Sequence, residues 1–199
     1  YNSLLFLDST HNTCISLEDR HRKGFLYTIL VKHDTAGCGI PVAFMLTNSE
    51  TQWPLAKWLN WLRENYLIPV SPNFMIDCSA TEMTAIESSF QNPQIRLCYW
   101  HMLRSMRNQV NNKIKSPASV EDHSAKQIRN SAIQDFTQLM YSKTVEEFGL
   151  IWREYYDRYH QHEEWLNYLK LNWLKYPERW WSGNRDVSLS SLPIRRRHN

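Results

Sequence analysis

Asp8 and Asp77 close two short apolar runs, Leu4-Leu5-Phe6-Leu7-Asp8 and Asn73-Phe74-Met75-Ile76-Asp77. A continuous run of four or five apolar residues reads as a central strand covered on both faces. An ionised carboxylate at its end does little for packing and is costly to bury, so it belongs to a polar site at the edge of the sheet. Two such carboxylates side by side suit a divalent cation, because Mg2+ takes hard oxygen ligands and is held by one or two carboxylates with water and substrate phosphate. Taken singly, each aspartate has a plainer reading as a turn former or helix cap, and Asp77 stands just before Ser79, a cap candidate.

Cys98 and His101 form a C-x-x-H pair where a strand gives way to a helix. A structural zinc site needs four ligands, and Cys14, Cys38 and Cys78 supply no close partner, so zinc is not expected. The pair reads as a fixture of the strand-helix junction or, equally, as a buried cysteine beside a hydrogen-bonded histidine. From residue 88 to residue 120 there is no acidic side chain, while Arg96, Arg104, Arg107, Lys113 and Lys115 lie there. Arg104, Arg107, Asn111 and Lys115 share one helical side and Leu103, Met106, Val110 and Ile114 mostly another. That is a surface for backbone phosphates, or simply a solvated helix face.

The elements that must position these groups follow from hydrophobic period. Residues 4–8, 25–32 and 41–47 read as strands, with Asp34, Gly37 and Gly39 marking the hairpin between the second and third. Residues 54–66 carry Leu55, Trp58, Leu59, Leu62 and Tyr66 at helical spacing, with Thr51 as cap and Pro54 in the first turn. Residues 73–77 return to strand. Ser79 with Glu82 makes a capping box ahead of a short helix whose buried stripe is Met83, Ile86 and Phe90. A strand at 95–99 and a helix at 100–114 follow. The predicted class is α/β, a mixed sheet with flanking helices.

Residues 115–126 are polar and read as a loop. Beyond them the chain is helical, over 128–141 and then 145–174. In the latter, Val145, Phe148, Trp152, Tyr155, Tyr159, His162, Leu166, Leu169 and Trp173 alternate in threes and fours. A heptad seam would make this a coiled-coil dimer. The bulky aromatics favour the core of an all-helical lobe.

At 199 residues and 42% hydrophobic content, with five glycines and nine tryptophans, the chain is globular rather than disordered. A net charge of +3 is too small to identify a nucleic-acid partner by itself. The four widely spaced cysteines, with no secretory signal or spanning segment, suggest an intracellular, reduced protein with no membrane partner. The opening at Tyr1 and the arginine-rich close suggest a piece of something longer.

Taken in order, Asp8-Ser9-Thr10-His11-Asn12-Thr13, Pro41-Val42-Ala43-Phe44-Met45-Leu46, Ser49-Glu50-Thr51, Met75-Ile76-Asp77, Ala85-Ile86 and Cys98-Tyr99-Trp100-His101 resemble the transposase domain of Mutator-like DNA elements, nearest its fungal and animal branches. The resemblance runs from Leu4 to about Arg107. It implies an RNase H-like core at 1–115, a helical insertion at 116–182, and a segment returning to the core from 183. It also implies a nuclear enzyme that cuts and joins DNA with Mg2+, or Mn2+ in its place, held by an Asp, Asp, Glu triad. Asp8 and Asp77 would be catalytic metal ligands, Arg104, Arg107, Lys113 and Lys115 would contact DNA, and a homo-oligomer would fit. The family's Glu follows asparagines on a late helix. Here His198-Asn199 matches the asparagine part, which puts the Glu past the last residue, while Glu163, Glu164 and Glu178 lack the expected neighbours. Two other readings remain: a domesticated, non-catalytic DNA-binding regulator, and an RNase H-like nuclease with another substrate.

Overall fold

The computed structural model describes residues 4–15, 23–33, 35, 37–66, 68–115 and 122–184. It is a mixed α/β structure that divides into two compact units at Met102/Leu103.

The first unit is built on a five-stranded sheet. Its strands are β1 (Leu4–Ile15), β2 (Lys23–Lys32), β3 (Gly39–Thr47), β4 (Asn73–Ile76) and β5 (Gln94–Leu97), in the order β3-β2-β1-β4-β5. β1 pairs antiparallel with β2 and β2 with β3, whereas β4 runs parallel to both β1 and β5. The first and fourth strands are therefore neighbours. At the hairpin between β2 and β3, Gly37 takes a φ of 61° and donates to the His33 carbonyl at 3.0 Å, a conformation that suits glycine because it has no Cβ.

Helices α1 (Gln52–Asn65) and α2 (Ala80–Ser89) occupy the connections on either side of β4. Leu55, Leu59, Phe74, Ile76, Ala85 and Ile86 are buried together with Leu7 and Ile29 of the central strands. The Ser89 hydroxyl donates to the Ala56 carbonyl at 3.2 Å, and Arg63 donates to the Ser89 carbonyl, tying α2 to α1.

Several local expectations need correction. β1 does not stop at Asp8. It continues to Ile15 because β2 runs alongside as far as Lys23, so Asp8 lies in mid-strand, paired with Thr28. Thr51 occupies the N-cap position of α1, but its hydroxyl makes no capping bond and meets Ser49 Oγ at 2.9 Å instead. The buried stripe of α2 is Glu82, Ala85, Ile86 and Ser89, with Met83 only half-buried.

On β3, which is an edge strand, Val42, Phe44 and Leu46 are more than half exposed, at 54%, 60% and 66%. The ladder to β2 shifts so that Ile29 faces Ala43 and Leu30 faces Pro41, leaving Val42 as an extra residue.

Helix α3 (Tyr99–Lys113) begins in the first unit, and its later turns belong to the second with α4 (Asp122–Tyr141), α5 (Val145–Tyr159) and α6 (Glu163–Asn172). α4 starts earlier than the polar composition suggests: six residues expected in a loop or just beyond it are helical, with Ala125 already buried. The long helix expected over 145–174 is two. The break falls at residues 160–162, where the His162 N–H returns to the Tyr159 carbonyl at 2.9 Å. Its aromatics fill the interior of this unit. Trp165 Nε1 donates to Tyr155 Oη at 2.7 Å, and Tyr155 Oη donates in turn to the Ala132 carbonyl at 3.1 Å, joining α6, α5 and α4. Trp180, fully buried, donates to the Trp173 carbonyl at 2.8 Å. Among the described residues, no helix is long and apolar enough to cross a membrane.

Candidate metal centre

Parallel pairing sets the two aspartates level. Phe6 pairs with Met75, and in an unshifted parallel register the residue two further along each strand is Asp8 on one and Asp77 on the other. Asp77 is the first residue past β4, where the chain leaves the sheet toward Ser79 and α2. The next strand contributes a third group. The Cys98 N–H donates to the Ile76 carbonyl at 2.8 Å, and the Cys98 carbonyl accepts the Met102 N–H at 3.0 Å, so α3 opens directly over the end of β4 and β5. His101 is in its first turn.

One ligand atom each from Asp8, Asp77 and His101 lies within 4.8 Å of the others. Asp8 is exposed, Asp77 and His101 are 26% and 31% exposed, and His101 Nδ1 lies against Asp77 Oδ1. The group is thus open to an ion while its imidazole is already oriented. Two carboxylate oxygens and an imidazole nitrogen suit a divalent cation of hard to intermediate character, and these three residues can hold one. Cys78 lies outside the three-residue group, and burial, with Asp77 beside it, pushes its thiol up to about 12. Cys98 is half-buried and outside the three-residue group; its observed contribution is the backbone bonding at the junction.

Beside Asp77 and His101 opens a pocket of about 370 Å³, bordered also by Ser9, Tyr27, Cys78 and Glu82. Glu82 was not anticipated as a site residue. Its backbone N–H is capped by the Ser79 hydroxyl at 3.3 Å, while its carboxylate turns inward and bonds to Ser9. At 1% exposure it is the most deeply buried acid described. Burial, reinforced by the negative charges of Asp77 and Asp8, raises its carboxyl to about 7 against the opposing pull of the Ser9 bond. The same burial, with Glu82 and then Glu50 adding negative charge, raises the Tyr27 phenol. The sequence signal for Glu82 was present in the capping box, but that motif predicts a side chain folded back on its own helix end.

The predicted phosphate-binding residues fall mainly on exposed positions. Arg104, Arg107 and Lys115 are exposed and Lys113 is half-buried. Lys115 reaches Glu164 at 3.4 Å, and both are open to water, so the pair is worth little. Arg107 also borders a groove of about 780 Å³ between α3 and α4, with Lys126, Arg129, Asn111 and Asn130. Glu163 and Glu164 form the exposed first turn of α6, and Glu178 sits in a single 3-10 turn, all in the second unit. The expected return to the core from 183, with Arg195, His198 and Asn199, lies almost wholly outside the described residues.

No family model matches this chain, and comparison with curated proteins finds no match.

Proposed function

We propose that the chain is the catalytic core of a Mutator-like DNA transposase, an RNase H-like domain that cleaves DNA with Mg2+ or Mn2+ and transfers strands in the nucleus. The observation that carries this reading is the convergence of Asp8, Asp77 and His101 within 4.8 Å at one end of the sheet. The strand order β3-β2-β1-β4-β5, with β1 antiparallel to β2 and parallel to β4, supports the RNase H-like assignment.

In this reading Asp8 and Asp77 serve as metal ligands and not as proton shuttles. His101, whose Nδ1 lies against Asp77 Oδ1, would add a nitrogen donor. Held by Asp8, Asp77 and His101, a divalent cation would supply the charge that makes water or a DNA hydroxyl nucleophilic at neutral pH and that steadies a departing 3′-oxygen. Hydrolysis adds water across one P–O bond, leaving a 5′-phosphate and a 3′-hydroxyl, and strand transfer repeats the displacement with that hydroxyl as nucleophile. The exposed Arg104 and Arg107 on α3 would hold phosphates of the DNA without reading its sequence.

The test is Mn2+ binding measured directly, together with nicking of supercoiled DNA in Mn2+ or Mg2+. Asp8→Asn and Asp77→Asn, which keep the shape but remove the anionic ligand, should each weaken Mn2+ binding at least tenfold and abolish nicking. Nicking that survives both substitutions, or wild-type protein that binds no Mn2+, overturns the assignment. The rival reading, a non-catalytic DNA-binding relative, expects DNA binding indifferent to both substitutions.

A further inference from the structure

Helix α1 is apolar on two sides. It buries Leu55, Ala56, Leu59 and Leu62 within its own unit. On the other side Trp53 and Trp61 are 74% and 50% exposed, and Tyr66 at the C-cap, 58% exposed, meets Trp61 edge-on with ring centroids 5.5 Å apart. Steps of four, four and three along the helix place Trp53, Lys57, Trp61 and Glu64 in one stripe, opposite the buried one and exposed along its length. A helix that is apolar all round ordinarily has neighbours all round.

The charges on this stripe say what kind of neighbour it fits. Lys57, Arg63 and Glu64 are the charged residues of α1. Arg63 is turned to the Ser89 carbonyl, and it touches Glu64 at 3.4 Å while leaving that side chain 65% exposed. The stripe itself therefore carries one cation and one anion, seven residues apart, or about 10 Å along the axis. A surface for a phosphate backbone needs an excess of cations, which this one lacks. It does match a copy of itself run antiparallel. With a two-fold axis between positions 60 and 61, Lys57 of each copy faces Glu64 of the other, Trp61 faces Trp61, and Trp53 comes level with Tyr66 of the other copy to within a turn. A parallel pairing in register would set lysine on lysine and glutamate on glutamate.

We propose that the Trp53-Lys57-Trp61-Glu64 stripe of α1 is the contact surface of a homodimer, in which two copies of α1 pack antiparallel about that axis. The contact is isologous, so it closes on two chains and does not propagate. The tryptophans and Tyr66 are its apolar anchors, and the two reciprocal Lys57–Glu64 pairs set its register more than its strength. None of these residues belongs to the Asp8-Asp77-His101 group, so the dimer goes beyond the cation reading and stands or falls apart from it.

The experiment is sedimentation velocity of the full chain over a range of concentrations, without metal or DNA. Wild type should show a monomer–dimer equilibrium with a Kd on the order of 10 μM, as befits a small contact. Lys57→Glu and Glu64→Lys should each weaken it about tenfold or more, because each sets two like charges face to face, and the two together should restore it to within about threefold of wild type. Trp61→Ala should weaken it about tenfold or more. The combined swap also guards against misfolding, since recovered association needs a folded α1. Wild type that stays monomeric throughout overturns the proposal, and so does a combined swap that fails to recover in protein whose circular dichroism matches wild type. A dimer indifferent to all these changes but lost in Phe44→Lys belongs to the β3 edge and overturns it as well. Trp53→Ala and Trp61→Ala proteins that dimerise like wild type but lose binding to a single-stranded oligonucleotide would assign the stripe to base stacking instead.

Discussion

Ser79 accepts the Glu82 backbone N–H at 3.3 Å, but the Glu82 carboxylate does not return the favour to the helix end; it runs inward to Ser9. Half a capping box is thus traded for a buried acid. Its carboxyl, raised from 4.5 to about 7, keeps a proton in the folded chain over a range where the unfolded chain gives it up. The folded state binds more protons between those values, so stability falls as pH rises from about 4.5 to about 7 and is level above. The full effect is on the order of 3 kcal/mol. Glu82→Gln should remove this slope and melt a few degrees above wild type at pH 8 without metal, as thermal melts across pH would report. Parallel curves for the two proteins would rule it out.

His101 brings nitrogen into an otherwise oxygen-only site. Imidazole suits Mn2+ and later divalent ions better than Mg2+. His101→Ala should therefore weaken Mn2+ about tenfold or more while changing Mg2+ by less, measured by calorimetric titration of each metal. Equal losses for both would mean that His101 acts only by orienting Asp77.

Arg104 and Arg107 are exposed one turn apart on α3. Replacing both with Ala should weaken binding to unrelated duplexes alike and reduce the salt-dependence slope by about 2. Fluorescence anisotropy at several salt concentrations reads both quantities. Weakening confined to one sequence would contradict phosphate contact.

In the helical unit, Tyr155 Oη accepts from Trp165 and donates to Ala132. Tyr155→Phe leaves a buried indole N–H and a carbonyl without partners and should cost about 1–3 kcal/mol. Tyr156→Phe, at a position 41% exposed, should stay within about 0.5 kcal/mol in the same urea titration.

The sheet was legible because its strands announce themselves by short apolar runs and by period. The extent of β1 was not, since the residues after Asp8 are polar and are held in strand only by pairing with β2. The break between α5 and α6 was hidden because residues 160–162 contain neither Gly nor Pro; the turn is closed by the His162 N–H on the Tyr159 carbonyl, and Trp165 Nε1 bonds Tyr155 Oη across it. At the site, the juxtaposition of Asp8 and Asp77 follows from two strand positions and a topology, both of which sequence can suggest. The approach of His101 and the inward turn of Glu82 depend on where α3 and α2 start and how they are rotated. Spacing alone does not determine those angles.

The exposed apolar face of β3 has a bearing on handling rather than on chemistry. An edge strand with its outer ladder open is a template for another chain, and proteins ordinarily guard it with proline, bulges or charge. Here Pro41 and the extra residue at Val42 guard the first half, while 43–47 carries Phe44 and Leu46 outward with no charged residue among them. At millimolar concentration, strand-to-strand association should begin at that end. Lysine at position 44 or 46 is the change that would raise solubility without touching either aspartate.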